Sequence, residues 1–424
     1  MVIYNRRLID DLLDEVFPDL AAIALEGAKG VGKTATAAQR ARSVMDLSLP
    51  KTRESAEANW NLVTELDPPV LVDEWQLVPS VWDRVRRAVD DDPAGGRFLL
   101  TGSAGIAPGV RVHSGAGRII SLRMRPLSMA ERGVEEPSVS LSRLLAGDAE
   151  IRGQTEFSIG DYVDEVLNSG FPGIRNLSPR ARDMQLTSYV ERLVSKELPE
   201  NDFLVRRPGA LKQWLTAYAA ATSTNASYNA ILDAATGGES EKPTKLTTLT
   251  YRDQLERLFI LDPVEAWLPT FNPLGRLTQA PKHHLVDPAL AARLVGVGRA
   301  GLLVGEGTQV SPRTGTWLGA LFESLATQSV RVYADAADAV ARHLRTHGGR
   351  REIDLIIERR DGSVLAIEVK LAGGASDSDV RHLNWLKDQI GDRLIDRVVL
   401  TTGQFAYRRD SDGVAVVPLA LLGP

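Results

Sequence analysis

Along roughly the first 130 residues, short apolar runs alternate with stretches whose apolar residues recur at helical spacing. That alternation predicts a parallel sheet with crossover helices, its strands at Ala21–Glu26, Val70–Asp73, Phe98–Thr101 and Arg118–Leu122. A polar stretch from Glu131 to Phe157, rich in Gly, Ser and Glu, reads as a linker holding one short helix. From Ile159 to Pro269 the pattern is helical: Leu211, Trp214, Leu215 and Tyr218 share one face, and Leu255, Leu258 and Phe259 another. Gly237–Lys245 between them reads as an exposed loop. From Trp317 the order becomes helix, strand, strand, helix, strand, at Trp317–Val330, Glu352–Ile357, Ser363–Leu371, Ser378–Ile390 and Arg397–Thr401. The expected divisions are 1–130, 131–158, 159–270 and 271–424, the last a small α/β domain.

Composition narrows the class without changing this outline. The 424 residues are 43% hydrophobic and 25% charged, ordinary for a globular chain, and collagen-like or wholly disordered readings fail. With no Cys, disulfides, thiolate zinc sites and Cys nucleophiles are excluded. No apolar run approaches a membrane span, and no signal peptide is visible, so a cytoplasmic protein with no membrane partner is expected. A net charge of −5 gives no global case for nucleic acid, which leaves local patches to make one. The skew to Arg over Lys fits a GC-rich bacterial genome.

The chemistry begins at Gly27-Ala28-Lys29-Gly30-Val31-Gly32-Lys33-Thr34, which satisfies GxxxxGK[ST] between an apolar strand and a helix start. Glycines let backbone N–H groups approach phosphates, and the helix N-terminus favours negative charge. Lys33 is expected on the β and γ phosphates of ATP and the Thr34 hydroxyl on Mg²⁺. About forty residues on, Val70-Leu71-Val72-Asp73-Glu74 is an apolar strand ending in two carboxylates. Asp73 suits the shell of Mg²⁺ and Glu74 an attacking water. The strand Phe98–Thr101 ends in hydroxyls, and Thr101 or Ser103 either senses the γ-phosphate or caps the strand. Arg118 is either an arginine finger, within its own subunit or a neighbour's, or a surface salt-bridge partner.

This order, with Trp75-Gln76 and Pro79 after the acids, Leu100-Thr101-Gly102-Ser103, Gly117-Arg118 before Pro126-Leu127-Ser128, and Gly170-Phe171-Pro172-Gly173, resembles a family of prokaryotic AAA-type ATPases. Members carry a C-terminal domain of unknown function similar to restriction-endonuclease-like folds. The resemblance implies an AAA-like core that uses ATP and Mg²⁺, and a winged-helix-like middle. Helices at Leu211–Ala221, Ser227–Ala235 and Thr247–Phe259 permit that middle. Arg252 and Arg257 would then face phosphates, but Asp253 and Glu256 share the same surface.

Near the C-terminus, Glu368 and Lys370 interrupt the apolar run Val364–Leu371, and Asp354 interrupts Glu352–Ile357. Such strands carry charges only where these are paired or functional. If Arg360-Asp361-Gly362 is a three-residue hairpin loop, Asp354 lies opposite Glu368 and Glu352 opposite Lys370. A two-residue loop would put Asp354 and Glu368 on different faces. Adjacent carboxylates need a cation or proton between them, and a second divalent ion (Mg²⁺ or Mn²⁺) on Asp354, Glu368 and the Val369 carbonyl fits. Lys370 would then orient water, and Glu323, beside Gly319, Ala320 and Thr327, would add a third acid.

Glu323, Asp354 and Glu368-x-Lys370 resemble the signature of the restriction-endonuclease-like superfamily, with Ile353 where a proline is common. The competing account is a structural salt-bridge cluster. Arg342, His343, Arg345, His347, Arg350 and Arg351 would form a basic patch guiding DNA, with His343 and His347 a metal pair only if helical. Two functions are therefore expected: ATP hydrolysis coupled to DNA binding or cleavage, or an ATP-dependent switch or scaffold whose C-terminal domain binds without catalysis. A homo-oligomer is compatible with both.

Overall fold

The computed structural model describes residues 4–103, 115–200, 203, 205–236, 244–269, 280–304, 314–346 and 349–424. They form two compact units. The first comprises residues 1–126, 195–206 and 252–260, and the second 127–194, 207–251 and 261–424.

In the first unit the strands are β1 (Ala22–Glu26), β2 (Ser43–Asp46), β3 (Val70–Asp73), β4 (Phe98–Gly102) and β5 (Ile119–Arg123), ordered β2-β3-β4-β1-β5. Every pairing is parallel. Central strands of such a sheet are covered on both faces, so they are apolar throughout rather than alternating. Ile23, Leu25, Leu71 and Leu99 pack with Leu13 and Phe17, contributed by the helix α1 (Leu8–Val16) and the turn after it. The intervening Ala22, Ala24, Val70, Val72, Phe98 and Leu100 pack on the other face against Trp82, Val85 and Ala88. Those three lie on the helix Ser80–Asp91, whose buried residues form one stripe. The sheet's C-terminal edge thus presents the loop after β1, the acids after β3 and the hydroxyls of β4 side by side.

The second unit has a mixed seven-stranded sheet among its described residues. The strands of this unit are β6 (Val139–Ser140), β7 (Gly153–Gln154), β8 (Ala339–Arg345), β9 (Glu352–Arg359), β10 (Val364–Val369), β11 (Leu394–Thr401), β12 (Phe405–Arg408), β13 (Ala415–Pro418) and β14 (Leu422–Gly423). The main order is β7-β12-β13-β11-β10-β9-β8, with β14 paired to β6 apart from it. The helix Asp377–Ile390 buries Val380, Leu383 and Leu386 against Ile353, Ile356, Val364, Ala366 and Val399.

Three expectations change here. The segment read as a linker is packed: it supplies β6, β7 and the helix Leu141–Ala146 with Leu141, Leu144 and Leu145 buried. A strand, β8, precedes the expected hairpin, and its Arg342 and Arg345 had disguised it as a basic patch. The helices Pro208–Ala220, Tyr228–Ala235 and Lys245–Arg257 are present close to their expected bounds. On the last of them Arg252 pairs with Asp253 at 3.3 Å and Glu256 at 3.8 Å, so its charge is spent on neighbours rather than offered to phosphates. Residues 237–243 of the predicted loop lie outside the described residues. No described helix is long and apolar enough to cross a membrane.

Candidate nucleotide site and C-terminal charge cluster

The loop after β1 is built on conformations that side chains disfavour. Gly30 and Gly32 have φ of 88° and 106°, in the left-handed region. A Cβ on Gly27 would stand 2.2 Å from the carbonyl oxygen of Met124, so only glycine fits there. Gly32 caps the helix α2 (Lys33–Ala38), which aims its free N–H groups into the loop. The Lys33 ammonium is buried and folds back on the loop, donating to the carbonyls of Gly27 at 2.7 Å and Ala28 at 2.9 Å. Burial pushes its pKa down to about 8, against the pull of Glu74 and Asp73. Lys29 sits at the rim, 2.7 Å from Glu197.

Thr34 and Asp73 are 39 residues apart in sequence, yet the Thr34 hydroxyl donates to Asp73 Oδ1 at 2.8 Å. The Thr101 hydroxyl donates to the same oxygen. Thr101 therefore orients Asp73 rather than standing free toward a phosphate. Glu74 has φ 52°, a left-handed conformation that turns its side chain out of the strand. The Gln76 amide donates to Glu74 Oε2, and the Ser103 hydroxyl reaches the same oxygen at 3.3 Å. A hydroxyl and a carboxylate in contact at the end of a glycine loop form a donor set that suits Mg²⁺ and polyphosphate.

Arg118 is not part of this arrangement. Ile119 lies level with Ala22 and Arg123 level with Glu26, so Arg118 is at the opposite end of the strands, about 16 Å along them from the loop end of β1. Its guanidinium pairs with Asp90 at 2.8 Å. At that end of the strands Arg118 makes a surface salt bridge.

In the second unit the hairpin register is the one a three-residue loop predicts. Arg359 N–H donates to the Ser363 carbonyl at 2.9 Å, Gly362 has φ 82°, and Ile367 faces Leu355. Asp354 and Glu368 therefore meet, and their carboxyls share a hydrogen bond. Burial and the Asp354 charge hold the Glu368 carboxyl well above the usual range. Lys370 donates to Glu368 at 3.1 Å. Glu323 joins the group from the helix Thr314–Ala336.

The occupant of the cluster was not foreseen. The ammonium of Lys282 lies 2.8 Å from Asp354 Oδ1, 2.8 Å from Glu323 Oε1 and 3.4 Å from Glu352 Oε1. It is almost wholly buried, and the three carboxylates hold its pKa above the ordinary lysine value despite that burial. The other Asp354 oxygen accepts the Val369 N–H at 2.9 Å. Where a divalent ion on Asp354, Glu368 and the Val369 carbonyl was expected, an internal cation meets Asp354, and Val369 contributes its N–H. No group of three or more His, Asp or Glu suited to a metal occurs among the described residues.

Several residues of the basic patch have partners of their own. Arg342 lies 3.5 Å from Glu358, Arg345 is 4.0 Å from Glu352, and Arg351 stacks on Trp385. His343 is buried on a strand, not a helix, and His347 lies outside the described residues. The signal for Lys282 was one charge in Pro281–Val286, an otherwise uncharged stretch next to two histidines.

The first unit's sheet order, glycine loop and strand-end acids define a P-loop nucleotide-binding domain. A family model described as an AAA domain matches residues 20–132, so the chain carries an AAA-type P-loop ATPase domain. Residues 159–300 match a domain of unknown function (DUF8612), and residues 318–422 match another (DUF4143). No curated protein matches. Among solved structures, the chain is similar to a Walker-type ATPase of Pyrococcus abyssi at 17% identity, covering 69% of this chain and 96% of that one with a TM-score of 0.41. It is also similar to Drosophila ORC bound to DNA at 13% identity, covering 70% and 95%, with a TM-score of 0.21.

Proposed function

We propose that the chain hydrolyses ATP with Mg²⁺ and acts as a nucleotide-dependent switch whose C-terminal domain binds a partner without cleaving nucleic acid. The observation carrying the first half is the Thr34–Asp73 contact at 2.8 Å, which brings a hydroxyl and a carboxylate together beside the Lys33 ammonium. Amides of the Gly27–Thr34 loop bind phosphate oxygens, and Lys33 exchanges its carbonyl partners for them. Thr34 and Asp73 would hold Mg²⁺, which when bound neutralises phosphate charge. Glu74, steadied by Gln76 and Ser103, accepts the proton of the attacking water at its carboxylate.

The second half rests on Lys282. A nuclease centre needs acids free for a divalent ion, and here a buried ammonium holds three of them. DNA cleavage remains the second reading because the register does bring Asp354, Glu368 and Lys370 together.

The test is phosphate release by the full chain with and without Mg²⁺, alongside Lys33→Ala and Glu74→Gln. Wild type should release phosphate only with Mg²⁺, Lys33→Ala should lose nucleotide binding, and Glu74→Gln should bind ATP yet turn over about 10²–10⁴-fold more slowly. Hydrolysis indifferent to Glu74→Gln would overturn the assignment. Duplex, single-stranded and branched DNA incubated with Mg²⁺ or Mn²⁺ should stay intact. Cleavage abolished by Asp354→Ala would instead establish the nuclease.

A further inference from the structure

The phosphate loop is held from behind by a residue that no motif contains. Arg7 precedes α1 and is 5% exposed, an unusual burial for a guanidinium. Its Nη1 donates to the Val31 carbonyl at 2.9 Å and its Nη2 to the Arg125 carbonyl at 2.9 Å. Val31 lies inside the glycine loop, and Arg125 follows Met124, whose carbonyl closes against Gly27. One guanidinium therefore ties the loop to the segment leaving β5.

Peptide planarity gives this contact a consequence. In a trans peptide the C=O and the next N–H point in opposite directions. With the Val31 carbonyl drawn to Arg7, the Gly32 N–H is turned the other way, away from Arg7. Gly32 is at φ 106°, so nothing in its own backbone preference selects that orientation over others. The Arg7 backbone is fixed in turn: its N–H donates to Asp10 at 2.7 Å, and Asp10 is paired with Arg40 at 2.6 Å and with the Tyr4 hydroxyl at 2.5 Å. Tyr4 also meets Thr36 on α2 at 2.9 Å.

We propose that Arg7 is a positioning residue for nucleotide binding, which presets the Val31–Gly32 peptide so that the loop is ready for a phosphate before one arrives. This rests on the reading of the loop as a nucleotide site. Arg7 acts on the phosphates common to ATP and ADP and takes no part in the attack on the γ-phosphate. Its loss should weaken both nucleotides alike and leave turnover at saturation untouched.

The experiment measures dissociation constants for ATP and ADP, the saturated hydrolysis rate and the melting temperature for wild type, Arg7→Met, Arg7→Lys and Arg6→Met. Arg7→Met should weaken both nucleotides about tenfold, the scale of one charge-assisted hydrogen bond, with the saturated rate within about twofold. Arg7→Lys keeps one donor and should recover part of the affinity. Arg6 is exposed and pairs only with Asp11 and Asp14 on α1, so Arg6→Met should match wild type. Affinity unchanged in Arg7→Met overturns the inference. So does a saturated rate that falls with the folded fraction while the dissociation constants hold. Wild type that binds both nucleotides without hydrolysis sinks the ATPase reading but leaves the Arg7 result readable. Wild type that binds neither nucleotide overturns both.

Discussion

Replacing Lys282 by Met keeps the length of the side chain and removes its charge. In the native protein the ammonium is within 2.8 Å of Asp354 and Glu323 and 3.4 Å of Glu352. The three acids do not lose equally. Burial, reinforced by the Asp354 charge, pushes the Glu323 carboxyl up to about 8, so of the three it gives up its charge most readily. Glu352 is about one-third exposed and can turn to water. The stranded charge is chiefly Asp354, which against its burial is held well below the usual carboxylate range by Lys282 and then Lys370, and is left with Lys370, the Val369 N–H and the Glu368 carboxyl.

Breaking a buried ion pair from one side costs about 3–5 kcal/mol. For a unit of this size that is roughly 6–10 °C in melting temperature. Asp354 can lower this cost by taking a proton, so the deficit should be larger at pH 8 than at pH 5, by roughly 1–2 kcal/mol. Denaturant unfolding of the full chain at both pH values, followed by a probe in the second unit such as Trp267 fluorescence, reads the difference. A loss under about 1 kcal/mol at pH 8, or the same loss at both pH values, would refute the view of Lys282 as the cation that these acids require.

The Glu323 carboxyl offers an independent check. Its folded pKa, about 8, lies above the ordinary 4.5, so the folded state binds the extra proton between these values. Its stabilising contribution is complete below about pH 4.5 and is lost as pH rises toward 8. Relative to Glu323→Gln, wild type should therefore lose stability with rising pH by at most about 1.4 kcal/mol per unit, and parallel pH profiles would contradict the assignment. Arg118→Ala, which removes the contacts with Asp90 and the Ala116 carbonyl, should hydrolyse ATP within about twofold of wild type at low protein concentration, whereas a finger is worth about 10³ or more. A loss of that size appearing only as concentration rises would place Arg118 at a neighbouring subunit's site.

What the sequence reveals in this chain follows the range of the interaction. The Gly27–Thr34 loop is local: its glycines, its lysine and its helix start are contiguous, so the motif alone specifies the backbone. β1, β3 and β4 are apolar because both faces are covered, and uninterrupted apolar runs of that length stand out. The hairpin register is equally local, set by Arg360-Asp361-Gly362 and read correctly from loop length. β8 escaped because its outward residues are Arg, and an edge strand with charged side chains looks like a basic patch. Arg118's place beside a strand is visible in the sequence, but its distance from the loop is a property of the sheet.

The residues that change the functional picture most lie beyond that range. Lys282 reaches Asp354 across 72 residues, and Arg7 reaches Arg125 across 118. Neither contact has a spacing to recognise, because each depends on two segments meeting only after the sheet between them has formed. The composition still carries a warning that could be used. Only about one residue in forty of this chain is lysine, and most cations are arginine. A lysine kept within the uncharged stretch Pro281–Val286 must be compensated where it is buried, and the uncompensated acids of the hairpin are what compensates it. Two anomalies each left unexplained by local sequence, an isolated buried cation and a pair of buried acids, are better assigned to each other than to a metal. That pairing places an internal cation where the acids would otherwise need a divalent ion.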